Sequence, residues 1–88
     1  MATTVASTFT VRVLLFGSYA EKLGLDTVEL ALTNPATIGD AVERLRSLPG
    51  GGSVPPRPLC ALNLLQARTD APLSAGDELA ILPPLSGG

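Results

Sequence analysis

The sequence contains no histidine and no tryptophan, and it has one cysteine, one methionine and only three aromatic residues, Phe9, Phe16 and Tyr19. Each scarcity removes a class of chemistry. Without imidazole the chain lacks the commonest general base at neutral pH and the commonest metal ligand. The lone thiol, Cys60, makes neither an internal disulfide nor a metal set. Its place in the apolar run Leu59, Cys60, Ala61, Leu62 reads as a small buried hydrophobe. No bound metal is expected, and no bound cofactor. Six basic against eight acidic residues give a net charge of −2, so there is no electrostatic footprint for nucleic acid or an anionic membrane. Ser, Thr, Asp and Glu have no base partner at any recognisable spacing, and nucleophile activation needs one. Glu21, Asp26, Glu29, Asp40, Glu43, Asp70, Asp77 and Glu78 read as helix caps, turn residues and solvated faces. Catalysis by this chain acting alone is not expected.

Long apolar runs are missing as well. Residues 1–8 carry no Lys or Arg and no apolar stretch of signal-peptide length, so a cytoplasmic, soluble protein is expected. What the chain does have is aliphatic: 45% of its 88 residues are hydrophobic, enough for one small domain with a single Leu, Val, Ile and Ala core. That domain spans 1–88, with residues 1–8 expected to be flexible.

Phe9 to Phe16 alternates apolar and polar residues and becomes apolar on both sides from Val13 onward, which suits a central strand. Gly17 and Ser18 end it. Ser18 then starts a short helix over Tyr19 to Leu23, with Glu21 completing a capping box and Gly24 stopping it. Thr27 to Leu32 is a second strand. Thr37, Ile38, Gly39, Asp40 matches a helix start, and Ile38, Ala41, Val42, Leu45 and Leu48 recur at helical spacing. From Pro49 to Pro58 the composition of Gly, Ser and Pro predicts a flexible surface loop. Its three glycines do not make a phosphate loop, because no Lys follows and Pro55 and Pro56 forbid the required helix. Leu59 to Leu65 reads as a third strand followed by a polar turn at Gln66, Arg68, Thr69 and Asp70. Leu73 to Asp77 reads as a tight turn, and Glu78 to Leu82 as the last strand. The order predicts an α+β fold, a mixed sheet with the longer helix on one face, and it permits the first and last strands to lie side by side and parallel, in which case their apolar halves form the centre of the sheet.

Pro83 and Pro84 have no N–H for a ladder and disfavour helix, so pairing must cease at Leu82 and residues 83–88 leave as an extended tail. That tail is Pro83, Pro84, Leu85, Ser86, Gly87, Gly88. At nine glycines in 88 residues, two in the last two positions arise by chance about one time in a hundred, and a merely disordered terminus is the bland reading. The functional reading is a tip without Cβ atoms, slim enough for a narrow passage, whose one reactive group is the α-carboxylate of Gly88.

The run Val11 to Gly17 with Ala20, Glu21, Leu23 and Gly24 resembles the opening of the small subunits of molybdopterin synthase, a family of ubiquitin-related sulfur carriers. So do Thr37 to Val42, Ala61 to Asn63, and above all Pro72 to Gly88. The resemblance implies a β-grasp fold like that of ubiquitin, with a short extra helix. It implies that a partner enzyme uses ATP to adenylate Gly88, that a sulfur donor replaces the AMP, and that the resulting thiocarboxylate enters the large synthase subunit. Sulfur then passes to cyclic pyranopterin monophosphate in molybdenum cofactor biosynthesis, within a heterotetramer of two small and two large subunits. Apolar residues beside the tail would form the partner interface, with Phe16, Leu82 and Leu85 as candidates. For Phe16 and Leu82, core packing is the competing reading. Leu64, Leu65 and Gln66 stand where many relatives have a more polar hairpin. The alternatives are a carrier for cysteine or thiamine biosynthesis, or a ubiquitin-like interaction module without sulfur chemistry.

Overall fold

Strand β1 (Thr8–Leu15) buries Val11, Val13 and Leu15 while Thr10 and Arg12 face outward, the two-residue period of a strand with one covered side. The computed structural model describes residues 7–84. After β1 come α1 (Gly17–Leu23), β2 (Thr27–Thr33), α2 (Ile38–Arg46), β3 (Leu59–Leu62), β4 (Leu65–Ala67) and β5 (Glu78–Leu82). The sheet order is β2-β1-β5-β3-β4. β1 and β5 run parallel at its centre and all other pairs are antiparallel, as the apolar halves of those two strands require. One face is covered by α2, whose Ile38, Ala41, Val42 and Leu45 pack with Val11, Val13, Leu30, Leu79 and Ile81 in the core.

The start of α2 follows its sequence signature. Thr37 Oγ1 accepts from Asp40 N at 3.3 Å, and the Asp40 carboxylate accepts from Thr37 N at 2.8 Å, a complete capping box. The segment before β5 supplies further acceptors, Ala71 O for Ile38 N and Thr69 O for Gly39 N. Short α1 departs from expectation at its N-terminus: the cap position is Phe16, and no side chain caps the helix. Gly17, at φ +57°, turns the chain directly out of β1, so the helix has begun before Ser18 could cap it. Gly24 closes it in the left-handed conformation, with its N–H donating to Ala20 O at 2.8 Å.

Three further expectations are corrected. The region 49–58 is folded against the body: Gly51–Ser53 form a 3-10 turn, Val54 is fully buried, and its carbonyl accepts from Arg46 Nε at 2.9 Å. A Cβ on Gly50 would overlap the Lys22 carbonyl and one on Gly51 the Leu45 carbonyl, so these glycines let the segment wedge between the ends of α1 and α2. The span read as one strand over Leu59 to Leu65 is a hairpin. Asn63 (φ +50°) and Leu64 (φ +74°) form its two-residue turn, both in the left-handed region of a type I′ connection. Asn63 holds that turn by accepting from Glu78 N at 2.9 Å and donating to Asp77 Oδ1 at 3.0 Å. Of residues 1–8, expected to be flexible, 1–6 lie outside the described residues, while Thr8 pairs with Thr33 and Ser7 O accepts from Asn34 N, so these two join the sheet. No helix among the described residues is long and apolar enough to cross a membrane.

Candidate functional site

The site begins where β5 ends. Leu82 is the last residue of β5 and pairs with Leu59 of β3, while Ile81 pairs with Leu15 of β1. Pro83 and Pro84 belong to no strand, and a proline there can offer no N–H to either neighbour. The root of the tail is therefore clamped on both sides by the sheet and released at one defined residue. Pro83 is half-buried beside the first residue of α1: an ideal Cβ on Gly17 would lie 3.1 Å from Pro83 Cγ. Gly17 thus serves twice, accepting a positive φ and leaving room for the tail's first proline. The sequence marked it only as a residue that ends the first strand. The signal for the second was the pairing of a parallel β1 and β5, which places the residues after each strand side by side.

Beside this root lies an apolar strip on the sheet face opposite α2. Cross-strand partners share a face, so Leu14, Ala80 and Ala61 line up across three strands, with Leu82 and Leu59 in the next row toward the tail. Phe16 follows Leu14 by two residues and is 43% exposed; Leu59 is 36% exposed and Leu82 half-buried. Of the expected interface residues, the fold thus sets Phe16 and Leu82 around the tail root, on the uncovered side of the sheet rather than in the core. Leu14 and Leu59 were missed, because alternation within one strand cannot tell which face a helix will cover. A charged row bounds the strip on the side away from the tail, with Arg12 opposite Glu29 on one neighbour and Glu78 on the other.

Leu85, Ser86, Gly87 and Gly88 lie outside the described residues. The remaining chemistry of the chain is quiet. Cys60 is 1% exposed, its thiol donates to Pro58 O at 3.2 Å, and burial pushes its pKa from 9.0 to about 11. It is a protonated, packed thiol rather than a nucleophile. Among the described residues no group of three or more His, Cys, Asp or Glu is placed to hold a metal ion.

The profile of the ThiS family matches residues 13–88, which takes in the end of β1, both helices, β2 to β5 and the terminal glycines. The chain belongs to the ThiS family. Its fold is the ubiquitin-like β-grasp of the sulfur carriers in that family. The domain is similar to SAMP1 from Haloferax volcanii, at 31% identity and a TM-score of 0.78, covering 90% of this chain and 99% of that one. It also superposes on a putative molybdopterin converting factor subunit 1 from Pyrococcus furiosus, at 20% identity and a TM-score of 0.75, covering 88% and 99%. A third structure is the complex of subunits 1 and 2 of molybdopterin-converting factor from Helicobacter pylori, matched at 23% identity and a TM-score of 0.67 over 91% and 100%. The last two likenesses establish the fold. No curated protein sequence matches this one.

Proposed function

We propose that this ThiS-family domain is a sulfur carrier, the small subunit of a molybdopterin synthase, with Gly88 as the residue that bears the sulfur. The observation that carries the reading is the release point: a family match running through Gly88, on a tail that leaves the central strand at Leu82 through Pro83 and Pro84. A carboxylate is inert toward nucleophiles until its oxygen becomes a good leaving group. An activating partner supplies ATP, the Gly88 carboxylate attacks the α-phosphorus, pyrophosphate leaves, and a sulfur donor then displaces AMP to give the thiocarboxylate. ATP is held by that partner and not by this chain. The thiocarboxylate sulfur is anionic and polarisable, and attacks cyclic pyranopterin monophosphate within the large subunit; water on the acyl carbon later frees the carrier.

The similarity to a molybdopterin-converting factor complex of subunits 1 and 2 supports a large-subunit partner. The strip of Leu14, Phe16, Leu59 and Leu82 suits docking there, since apolar surface next to a reactive tail is what a partner must cover. Leu85, which lies outside the described residues, is the third residue we assign to that interface.

Intact mass spectrometry tests the reading. Mixed with an activating enzyme, ATP and a sulfur source, the chain is expected to exchange one oxygen for sulfur, and deletion of Gly88 is expected to abolish the exchange. No mass change in the full chain, or loading that survives the deletion, refutes it. Loaded carrier with a large subunit and precursor must then yield the dithiolene product. A second reading, a protein modifier, is favoured by the 31% identity to SAMP1. It predicts that an amine, rather than sulfur, displaces AMP, giving a conjugate of higher mass.

A further inference from the structure

The sheet has two edges, and they differ. β4 offers three residues. β2 offers seven, in unbroken register with β1 and with no Pro, no Lys and only one charge, Glu29. These are the devices by which natural edge strands avoid pairing, and β2 lacks them. Parity shows which groups are free. Asp26 O accepts from Leu15 N and Asn34 N donates to Ser7 O, so even-numbered residues of β2 bond to β1. Thr27, Glu29, Ala31 and Thr33 therefore turn their N–H and C=O groups away from the sheet.

We infer that β2 is a self-association edge, and that two copies of this chain pair antiparallel through it into one continuous sheet. The inference is independent of the sulfur-carrier reading. Two-fold pairing centred on Leu30 sets Glu29 opposite Ala31 and Thr27 opposite Thr33, so all four free residues exchange bonds with their counterparts. Shifting the centre to Glu29 would place the two glutamates face to face, and shifting it to Ala31 would set Thr27 against Pro35, which has no N–H to give. Charge on one side and Pro35 on the other leave the central register favoured.

The same two-fold puts both copies of α2 on one face of the joined sheet. Along β2 that helix borders a groove of about 420 Å³ lined by Leu32, Pro35, Ala36, Asp40, Glu43 and Arg44. Arg44 makes no ion pair among the described residues, where the two pairs are Arg46–Glu43 and Arg68–Asp70. With Asp40 and Glu43 it lies on the side of α2 that borders β2, so the paired sheet sets charges of both signs on the two facing sides. β5 lies two strands in from this edge, roughly 10 Å away, so both tails stay free.

Sedimentation equilibrium over about 10 μM to 1 mM reads the association, which for an edge contact of this size belongs in the micromolar to millimolar range. Residue 31 then tests the register. Ala31→Glu sets like charges opposite each other twice and is expected to weaken association about tenfold, whereas Ala31→Lys sets Lys against Glu29 twice and is expected to preserve or tighten it. Ala31 is exposed, so both variants fold. A chain that stays monomeric to about 1 mM overturns the inference, and an edge kept for a strand of another protein would give that result. So does a dimer on which the two substitutions act alike.

Discussion

Replacing Gly17 with alanine strikes the root of the tail, and Gly24 supplies its control. Both glycines hold positive φ, +57° and +72°, so an L-residue at either costs about 1–2 kcal/mol in the left-handed region. About 0.4–1 kcal/mol of that is offset because alanine restricts the unfolded chain. Each variant is therefore expected to lose about 1 kcal/mol, or roughly 4–8 °C in Tm for a domain of this size. Beyond that the two sites part. Nothing lies within 4 Å of a Cβ on Gly24, whereas a Cβ on Gly17 meets Pro83 Cγ at 3.1 Å. Pro83 must shift by a few tenths of an ångström, and everything beyond it shifts with it.

Thermal unfolding reads the shared cost, and the rate of sulfur loading by an activating enzyme, followed by intact mass, reads the difference. Gly17→Ala is expected to slow loading several-fold at temperatures where both variants are folded, and Gly24→Ala to leave it unchanged. Adding Pro83→Ala to Gly17→Ala removes Cγ, and loading then approaches that of Pro83→Ala alone, the signature of a coupled pair. Equal loading by Gly17→Ala and Gly24→Ala would refute the claim that the Gly17–Pro83 contact aims the tail.

Other perturbations test the parts that hold the site in place. Gly51→Ala drives a Cβ into the Leu45 carbonyl and is expected to cost at least ~2 kcal/mol, while Gly52→Ala, with nothing within 4 Å, stays within about 0.5 kcal/mol in urea denaturation. Leu64→Gly relieves a leucine held at φ +74° and 88% exposed, and a net gain of about 0.5 kcal/mol is expected; a loss would mean that this leucine packs. Cys60 gives a pH signature. Its folded pKa of about 11 lies above the ordinary 9.0, so the protonated thiol contributes stability fully present below about pH 9. Up to about 3 kcal/mol is lost as pH rises from 9 toward 11, and Cys60→Ala removes that slope relative to the parent chain.

What the sequence made legible was whatever depends on local period and caps. The central place of the first and last strands was legible in apolar runs buried on both sides, with a parallel pairing that the element order permitted, and the Thr37–Asp40 box marked the start of the main helix to the residue. What stayed hidden depends on tertiary contact. The glycines at 50 and 51 look like a flexible linker until the ends of α1 and α2 are brought against them. A hairpin at Asn63–Leu64 is masked because leucine is a poor residue for positive φ. Besides the β3–β4 ladder, the bonds from Asn63 to Asp77 and Glu78, fourteen and fifteen residues away, hold the turn. The release of the tail at Leu82 could be read from two prolines, and Phe16 beside it from its place at the end of the first strand, but not Leu14 and Leu59 in the same strip, because which face α2 covers is settled by packing.

These pieces fit one mechanical requirement. A group that must enter another protein's narrow passage and return needs an origin that does not move and an end that does not obstruct. β5 gives the origin: it is bonded on both sides, carries the fully buried Leu79 and Ile81, and cannot open without opening the core. Its neighbouring strands supply the apolar strip, so that the proposed docking surface and the point from which the tail departs are set by the same three strands. Moving the tail to either edge would separate them. The parallel β1–β5 pair is therefore what makes this small sheet suited to presenting its C-terminus, and the Gly17–Pro83 contact, lying just beyond that pair, is where a single methyl group has the most leverage on it.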